Sequence, residues 1–431
     1  MVAKTATHGV GPTPARKQRR ALIIGGSLGG LFAANLLRVS GWHVDVYERA
    51  RGDLSSRGTG IVTHPQLLEI LNEAGAESGA AIGIAVQSRV TLGRDGEVVG
   101  KWPLPQIVTG WSHLWRHLKD VFPVERYHAG KTLVEIEQDE HGVIAHFADG
   151  SAEQGELLIG ADGFRSTVRQ LFWPDIEPIY AGYVAWRGLV DESVLSDAAH
   201  RALFDNFVFC LPPHEQILGY PVAGQGNTIE RGHRRFNFVW YRPADAERKL
   251  PALLTDSAGR LHRDGIPPTM VNQNLLDGLR ADAARLLSPQ FEEVVRLSEQ
   301  PFFQPIYDLE SSAMASGRVI VIGDAAFVVR PHCGIGVTKA AEDARCLAWA
   351  LRDEDRPIYQ ALAEVSSKRM AFGQVMVSRA RHLGAYMQAQ IKTAEERQMA
   401  ERYRTAEAVM RETAISPELI PERYSVGENA T

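Results

Sequence analysis

The chain has 431 residues, 45% hydrophobic and 23% charged, with a formal net charge of −5. That balance is ordinary for a globular protein and gives no chain-wide attraction to nucleic acid or to an anionic membrane. Cys210, Cys333 and Cys346 are too few and too widely spaced for a disulfide framework or a zinc site, so no metal is expected and a reducing, cytoplasmic setting fits.

Residues 1–20 hold five cations and no acid among glycines and prolines, and read as a flexible lead-in without the apolar core of a secretory signal. No apolar run reaches the roughly 18 residues of a membrane span. Ala21–Gly25 is a short apolar run ending in glycine, which predicts a buried parallel strand. Leu28–Val39 has helical spacing and His43–Tyr47 alternates, completing one βαβ unit. Val86–Leu92, Leu133–Glu137 and Val143–Phe147 read as strands, Trp111–Val121 as a helix, and Glu156–Gly160 as a strand entering a turn. Beyond about residue 178 the texture changes to antiparallel strands, Val184–Val190, Phe207–Leu211, Ile217–Val222 and Arg235–Tyr241, with helices after 274. Arg318–Gly323 returns to the buried-strand pattern.

Pro357 to Thr413 is predicted helical, with Phe372, Val375, Met376, Leu383, Met387 and Ile391 on one apolar face. That face either packs on the chain's own core or forms a homodimer contact. The expected fold is α/β. A Rossmann-like domain spans 21–177 and 301–355, a mixed or antiparallel sheet domain is inserted at 178–300, helices follow at 356–413, and 414–431 is a tail.

Three motifs carry chemistry. In Gly25-Gly26-Ser27-Leu28-Gly29-Gly30, Gly25 permits a tight turn, Gly30 permits close strand–helix packing, and the helix N-terminus offers N–H groups to a pyrophosphate. Glu48 ends the next strand, where a carboxylate can accept ribose hydroxyls and repel a phosphorylated ribose, so FAD or NAD suits better than NADP. The second motif, Gly160 to Arg169, contains the Asp162-Gly163 turn and Ser166, placed to cap a helix. In the third, Asp324 follows a strand and can bond a polyol chain. Pro331, Gly334 and Gly336 let backbone approach a flat ring.

In this order the three motifs resemble the group A flavoprotein monooxygenases, the family of para-hydroxybenzoate hydroxylase, over about residues 20–375. Tyr47-Glu48-Arg49, Gly58 to Val62, Glu125 to His128, Tyr180 to Val184, Trp186-Arg187-Gly188 and Arg330-Pro331-His332 are similar to the 2,6-dihydroxypyridine 3-monooxygenase branch. The resemblance implies an FAD enzyme that takes electrons from NADH, with NADPH less suited. It would hydroxylate a small, electron-rich aromatic or N-heteroaromatic ring with O₂ through a flavin C4a-hydroperoxide. It also implies that Ser27, Leu28, Glu48 and Arg49 hold the ADP half. Asp324 would bind the ribityl chain, and Pro331 through Val337, with Gly334, Ile335 and Gly336, would flank the ring. The Asp162-Gly163 turn would serve both FAD and the nicotinamide. Gly60 and Leu133 complete the cofactor candidates. Trp111 stands where many members have an FAD-binding arginine, Phe327 replaces a frequent histidine, and Cys333 to Gly336 departs from the usual loop.

Oxygen transfer to a ring of this kind calls for a general base. His332, beside the ring-facing loop, is the first candidate. Tyr220, Tyr241 and Arg187, on strands of the second domain, are further substrate or catalytic candidates. His64 is another residue near the expected flavin edge. His113 and His117 lack the acid of a metal motif and read as structural. The alternatives are another flavin oxidoreductase on this scaffold or a non-catalytic FAD-binding protein.

Overall fold

The computed structural model describes residues 19–54, 60–76, 82–263 and 265–420. Gly58, Thr59 and most of the lead-in and tail lie outside them. Arg20–Ile24 is the expected buried strand, flanked in parallel by Leu157–Gly160 on one side and His43–Glu48 on the other. Val319–Val321 and Tyr127–Ala129 extend this sheet in parallel, and Ala315–Ser316 adds an antiparallel edge, making six strands. Ala21, Leu22 and Ile23 are fully buried, because the parallel sheet is covered both by helices such as Leu28–Val39 and by the strand Ala152–Gly155, whose Gly155 lies against Leu22. The turn into the Leu28–Val39 helix tolerates no side chains. Gly25 has φ +106°, and a Cβ on Gly30 would lie 1.9 Å from the Gly25 carbonyl oxygen.

A second, nine-stranded sheet runs in the order Phe327–Val328, Phe302–Glu310, Ile179–Asp191, Arg235–Pro243, Gln216–Val222, Asn206–Cys210, Ile84–Leu92, Val98–Gly110 and Gly60–Val62. Neighbours are antiparallel except for the Asn206–Cys210 and Ile84–Leu92 pair. The expected domain limits at 178 and 300 therefore cut through one hydrogen-bonded sheet, which recruits strands from both sides of the insertion. Val98–Gly110 and Phe302–Glu310 escaped the pattern reading because each contains proline. Pro305 is accommodated opposite Val184, where the facing strand bulges.

Alternation splits this sheet into two faces. Val184, Trp186, Phe236, Phe238 and Trp240 pack beneath the helices Gln273–Leu286 and Pro289–Leu297. Tyr183, Tyr220, Val239 and Tyr241 face the other way, toward Cys333 and Ile335 of the third motif. The C-terminal helical region is broken rather than continuous: Ile358–Gly384, Ala394–Tyr403 and Ala406–Glu412. Its apolar face lies on the chain itself, with Met376, Leu383 and Met387 in the cluster that holds Tyr183 and Tyr241. That face consequently gives no support to the homodimer reading. The tail reading also changes at its start, since Ala414 and Ile415 are buried. Among the described residues no helix is long and apolar enough to cross a membrane.

Gly30→Ala should lower stability by about 1–3 kcal/mol through overpacking against the Gly25 carbonyl; urea unfolding of the apoprotein measures it, and an unchanged midpoint would contradict the contact.

Candidate active site

Ile24, Gly160 and Val321 end three neighbouring parallel strands, so the turns that follow open on the same sheet edge. There they line one cleft of about 340 Å³, with Gly25, Ser27 and Leu28 from the first motif, Asp162 and Gly163 from the second, and Asp324, Gly336 and Val337 from the third. Glu48, Arg49 and Trp111 complete its wall. Residues more than 300 positions apart in sequence are thus brought together.

Ser27 is the N-cap of the Leu28–Val39 helix, but its hydroxyl makes no capping bond, leaving the first-turn N–H groups to the cleft. Both Glu48 oxygens accept backbone N–H groups, Oε2 from Gly26 at 2.8 Å and Oε1 from Ala50 at 2.9 Å. The carboxylate therefore braces the glycine turn while facing the cleft. Asp162 Oδ2 accepts from Thr167 N at 2.6 Å, and Ser166 caps Thr167–Phe172 as expected. Asp162 Oδ1 is buried with no hydrogen-bond partner, and burial pushes this carboxyl's pKa up. A Cβ on Gly163 or Gly336 would meet nothing within 4 Å, so both backbones border open space.

Asp324 is 54% exposed at the cleft, 4.0 Å from the buried Lys339 ammonium. Asp343 Oδ2 accepts from Gly323 N at 3.0 Å, and Arg369 holds its other oxygen at 2.6 Å, which fixes the turn that presents Asp324. Sequence reasoning missed Lys339 and Asp343. Their i,i+4 spacing after Gly336 was a usable signal, because it puts a cation and a carboxylate on one face of the helix that follows the third motif. It also missed Trp115 and Tyr127, which donate to the Gly26 carbonyl at 3.0 and 3.1 Å and carry no local signature.

The other candidates occupy different places. Leu133 is buried opposite Phe147 in the three-stranded sheet of Leu133–Gln138, Val143–Phe147 and Ala152–Gly155, and not among the residues lining the cleft. Gly60 lies under the Tyr220 ring, where a Cβ would come within 2.3 Å. Pro331–Cys333 forms a short turn closed by Gly334 at φ +66°, and Ile335 is buried as the next helix begins.

His332 is 1% exposed. Its Nε2 is 2.8 Å from the Tyr183 hydroxyl, its ring centroid is 4.4 Å from that of Tyr241, and Nδ1 has no hydrogen-bond partner. Burial, then the charges of Arg330 and Arg187, lower its pKa to about 3, so the imidazole is neutral. Burial raises the Tyr220 pKa and brings that of Tyr241 to about 12, and Arg187 acts electrostatically on both. His332, Tyr220, Tyr241 and Arg187 therefore form one neighbourhood, to which the structure adds Tyr183. His64 is buried beside it, with Nδ1 2.9 Å from the Thr338 hydroxyl and its pKa lowered to about 4, chiefly by burial. His113 and His117 contact each other at 3.3 Å, and no group of three or more metal-ligating side chains occurs among the described residues.

Residues 306–380 match the model of an FAD binding domain, and residues 180–308 match one described as FAD binding domain-like. The chain is 36% identical to the 2,6-dihydroxypyridine 3-monooxygenase of Paenarthrobacter nicotinovorans, covering 76% of this chain and 82% of the relative. The chain belongs to the FAD-dependent aromatic monooxygenases. The solved 2,6-dihydroxypyridine-3-hydroxylase from Arthrobacter nicotinovorans superposes on this monooxygenase with a TM-score of 0.80 at 32% identity, covering 88% of this chain and 95% of that one. The 3-amino-4-hydroxybenzoate 2-monooxygenase of Streptomyces cremeus is 28% identical over 84% of this chain and 86% of its own length.

The monooxygenase's cleft fits the family's cofactor: uncapped helical N–H groups suit a pyrophosphate, the orphaned Asp162 oxygen and exposed Asp324 suit hydroxyls, and the Gly336 backbone leaves room for a ring. Trp111 lines this cleft. Phe327 is spent on packing instead, its ring lying over Gly373 of the long helix.

His64 and His332 have a consequence for acid stability. Their folded pKa values lie below the unfolded value, so protons bind the unfolded chain preferentially and stability falls as pH drops from about 6.5 toward 4. His332→Gln should flatten that slope by about 1.4 kcal/mol per pH unit, read by urea unfolding between about pH 6 and pH 4; an unaltered slope would contradict a neutral, buried imidazole.

Proposed function

We propose that this enzyme uses NADH, FAD and O₂ to hydroxylate a hydroxypyridine-like ring, that is, an electron-rich hydroxylated aromatic or N-heteroaromatic compound. The observation that carries the reading is the buried polar neighbourhood of His332, Arg187, Tyr220 and Tyr241 beside the flavin-facing loop. Similarity to relatives named for dihydroxypyridine and aminohydroxybenzoate supports it.

FAD, reduced by the nicotinamide, supplies the electrons and the activated oxygen. The chain's task is to orient the ring, exclude water and move one proton. Glu48 and Arg49 would hold the adenosine end of FAD, the helix beginning at Leu28 its pyrophosphate, and Asp324 its ribityl chain. When Nε2–H donates to the Tyr183 oxygen, Nδ1 of His332 carries a lone pair able to accept the substrate hydroxyl proton. The lowered pKa leaves that lone pair free but makes it a weak base, so the imidazole would hold the proton only with the ring anion beside it. Tyr220 and Tyr241 remain protonated and act as hydrogen-bond donors to ring oxygens. Arg187 balances the negative charge left on the deprotonated ring, which raises its electron density toward the oxygen electrophile.

The test follows NADH oxidation, O₂ consumption and product mass with 2-hydroxypyridine, dihydroxypyridines and simple phenols. Substrate-stimulated NADH loss matched by a product heavier by one oxygen is expected; NADH loss without product for every ring would refute the reading. Asp324→Ala should lower FAD occupancy after gel filtration, and unchanged occupancy would remove its assigned role. His332→Ala should keep FAD yet slow hydroxylation by about 10²–10⁴-fold, the usual range for a lost general base. Turnover at the wild-type rate would exclude His332 as the base.

A further inference from the structure

Arg89 lies on Ile84–Leu92, fully buried and far in sequence from all three motifs. Its guanidinium donates to the carbonyls of Met410 at 2.8 Å, Ala414 at 2.8 Å and Thr413. Gln106 grips the same group, accepting from Nη2 at 2.7 Å and donating to the Ala414 carbonyl at 3.3 Å. Five planar donors suit a fork across several carbonyls, and a guanidinium kept from water is costly without such partners. The segment so held touches the flavin-facing loop directly. Ala414 N donates to the His332 carbonyl at 2.7 Å. Ala414 Cβ is so close to Gly334 that a Cβ built there would come within 2.5 Å. Ala414 itself has φ 49°, a left-handed conformation that costs a non-glycine residue energy and persists where surrounding contacts enforce it.

We infer that Thr413–Ile415 is a strap across the His332–Gly334 turn and that Arg89 is the positioning residue that fastens it, with the consequence for hydroxylation resting on the function proposed above. The strap fixes the backbone carrying His332 through its carbonyl, while Tyr183 holds its ring. Without it the turn would lose its bond to the His332 carbonyl and the packing on Gly334, and the base would lose its register with the substrate ring. The loss falls on the efficiency of oxygen transfer, while the rest of the FAD cleft, formed by Ser27, Glu48, Asp162 and Asp324, keeps its ligand.

Two variants of the full-length, FAD-loaded enzyme test this. Arg89→Met removes the fork. Ala414→Pro removes the N–H that reaches the His332 carbonyl and cannot adopt positive φ. Both should retain FAD. In both, amide hydrogen exchange across residues 330–337 should accelerate about tenfold or more, while residues 21–30 exchange as in wild type. Product formed per NADH consumed should fall about tenfold, the scale expected when a positioned group drifts by a fraction of an ångström. Unchanged exchange in Ala414→Pro would overturn the strap. Faster exchange with product per NADH within twofold of wild type would reduce it to a structural contact and overturn the positioning role. Should Arg89→Met fail to fold, Ala414→Pro decides alone. Should the wild-type enzyme hydroxylate none of the rings, the proposed function fails, and the exchange comparison still decides whether the strap holds the loop.

Discussion

The contact between Gly30 and the Gly25 carbonyl sets the geometry of the nucleotide end. It draws the helix N-terminus onto the end of the central strand, so the first-turn N–H groups point along the sheet edge instead of into solvent. Because Leu157–Gly160 and Val319–Val321 run parallel to that strand, their following turns emerge at the same edge. Antiparallel pairing would have sent alternate turns to the opposite end. Direction in one sheet therefore explains why Asp162 and Asp324 share a cleft with Ser27.

Between the FAD cleft and the His332 neighbourhood the ordinary rule that buried polar atoms find partners is broken repeatedly. Asp162 Oδ1, Lys339 Nζ, His64 Nε2, His332 Nδ1 and Asn237 Nδ2 are buried without hydrogen-bond partners. Each such group costs roughly 1–3 kcal/mol in a folded protein. Of these, the Asp162 oxygen belongs to a residue that lines the FAD cleft, and the His332 nitrogen lies in the neighbourhood proposed to meet the substrate, so a bound ligand would supply the missing partners. The surrounding scaffold offsets the cost with fully paired groups, such as Arg330, which donates twice to Asp308 at 2.8 and 2.7 Å.

Much of this was legible in the sequence because it is local. Glycine turns after apolar runs, a carboxylate at a strand end and a serine cap declare themselves within a few residues, and Gly25, Glu48 and Ser166 stand where those patterns put them. His332 was legible through its neighbours Pro331 and Gly334. What the sequence hid is non-local. Tyr183 matters through a histidine 149 positions away, and Arg89 through carbonyls more than 320 positions away. Proline in Val98–Gly110 and Phe302–Glu310 masked two strands, which is why the domain limits fell inside a sheet. The buried Ala414 and Ile415 were read as tail because two apolar residues in a row show no periodicity that would mark a core face.

Charge balance explains why a neutral base can serve here. Arg330 pairs with Asp308, a carboxylate that Arg381 shares at 3.0 Å, and its charge still disfavours protonation of His332. Arg187 sits nearer the tyrosines and acts on Tyr220, Tyr241 and His332 together. Before substrate binds, that cation disfavours a charged imidazole. Under the proposed function, a ring hydroxyl that gave up its proton would leave an anion beside Arg187, reverse the local potential and make the imidazolium tolerable. In that reading the same residue keeps His332 neutral before substrate binds and would stabilise the state in which it holds a proton, a coupling that neither residue could supply alone.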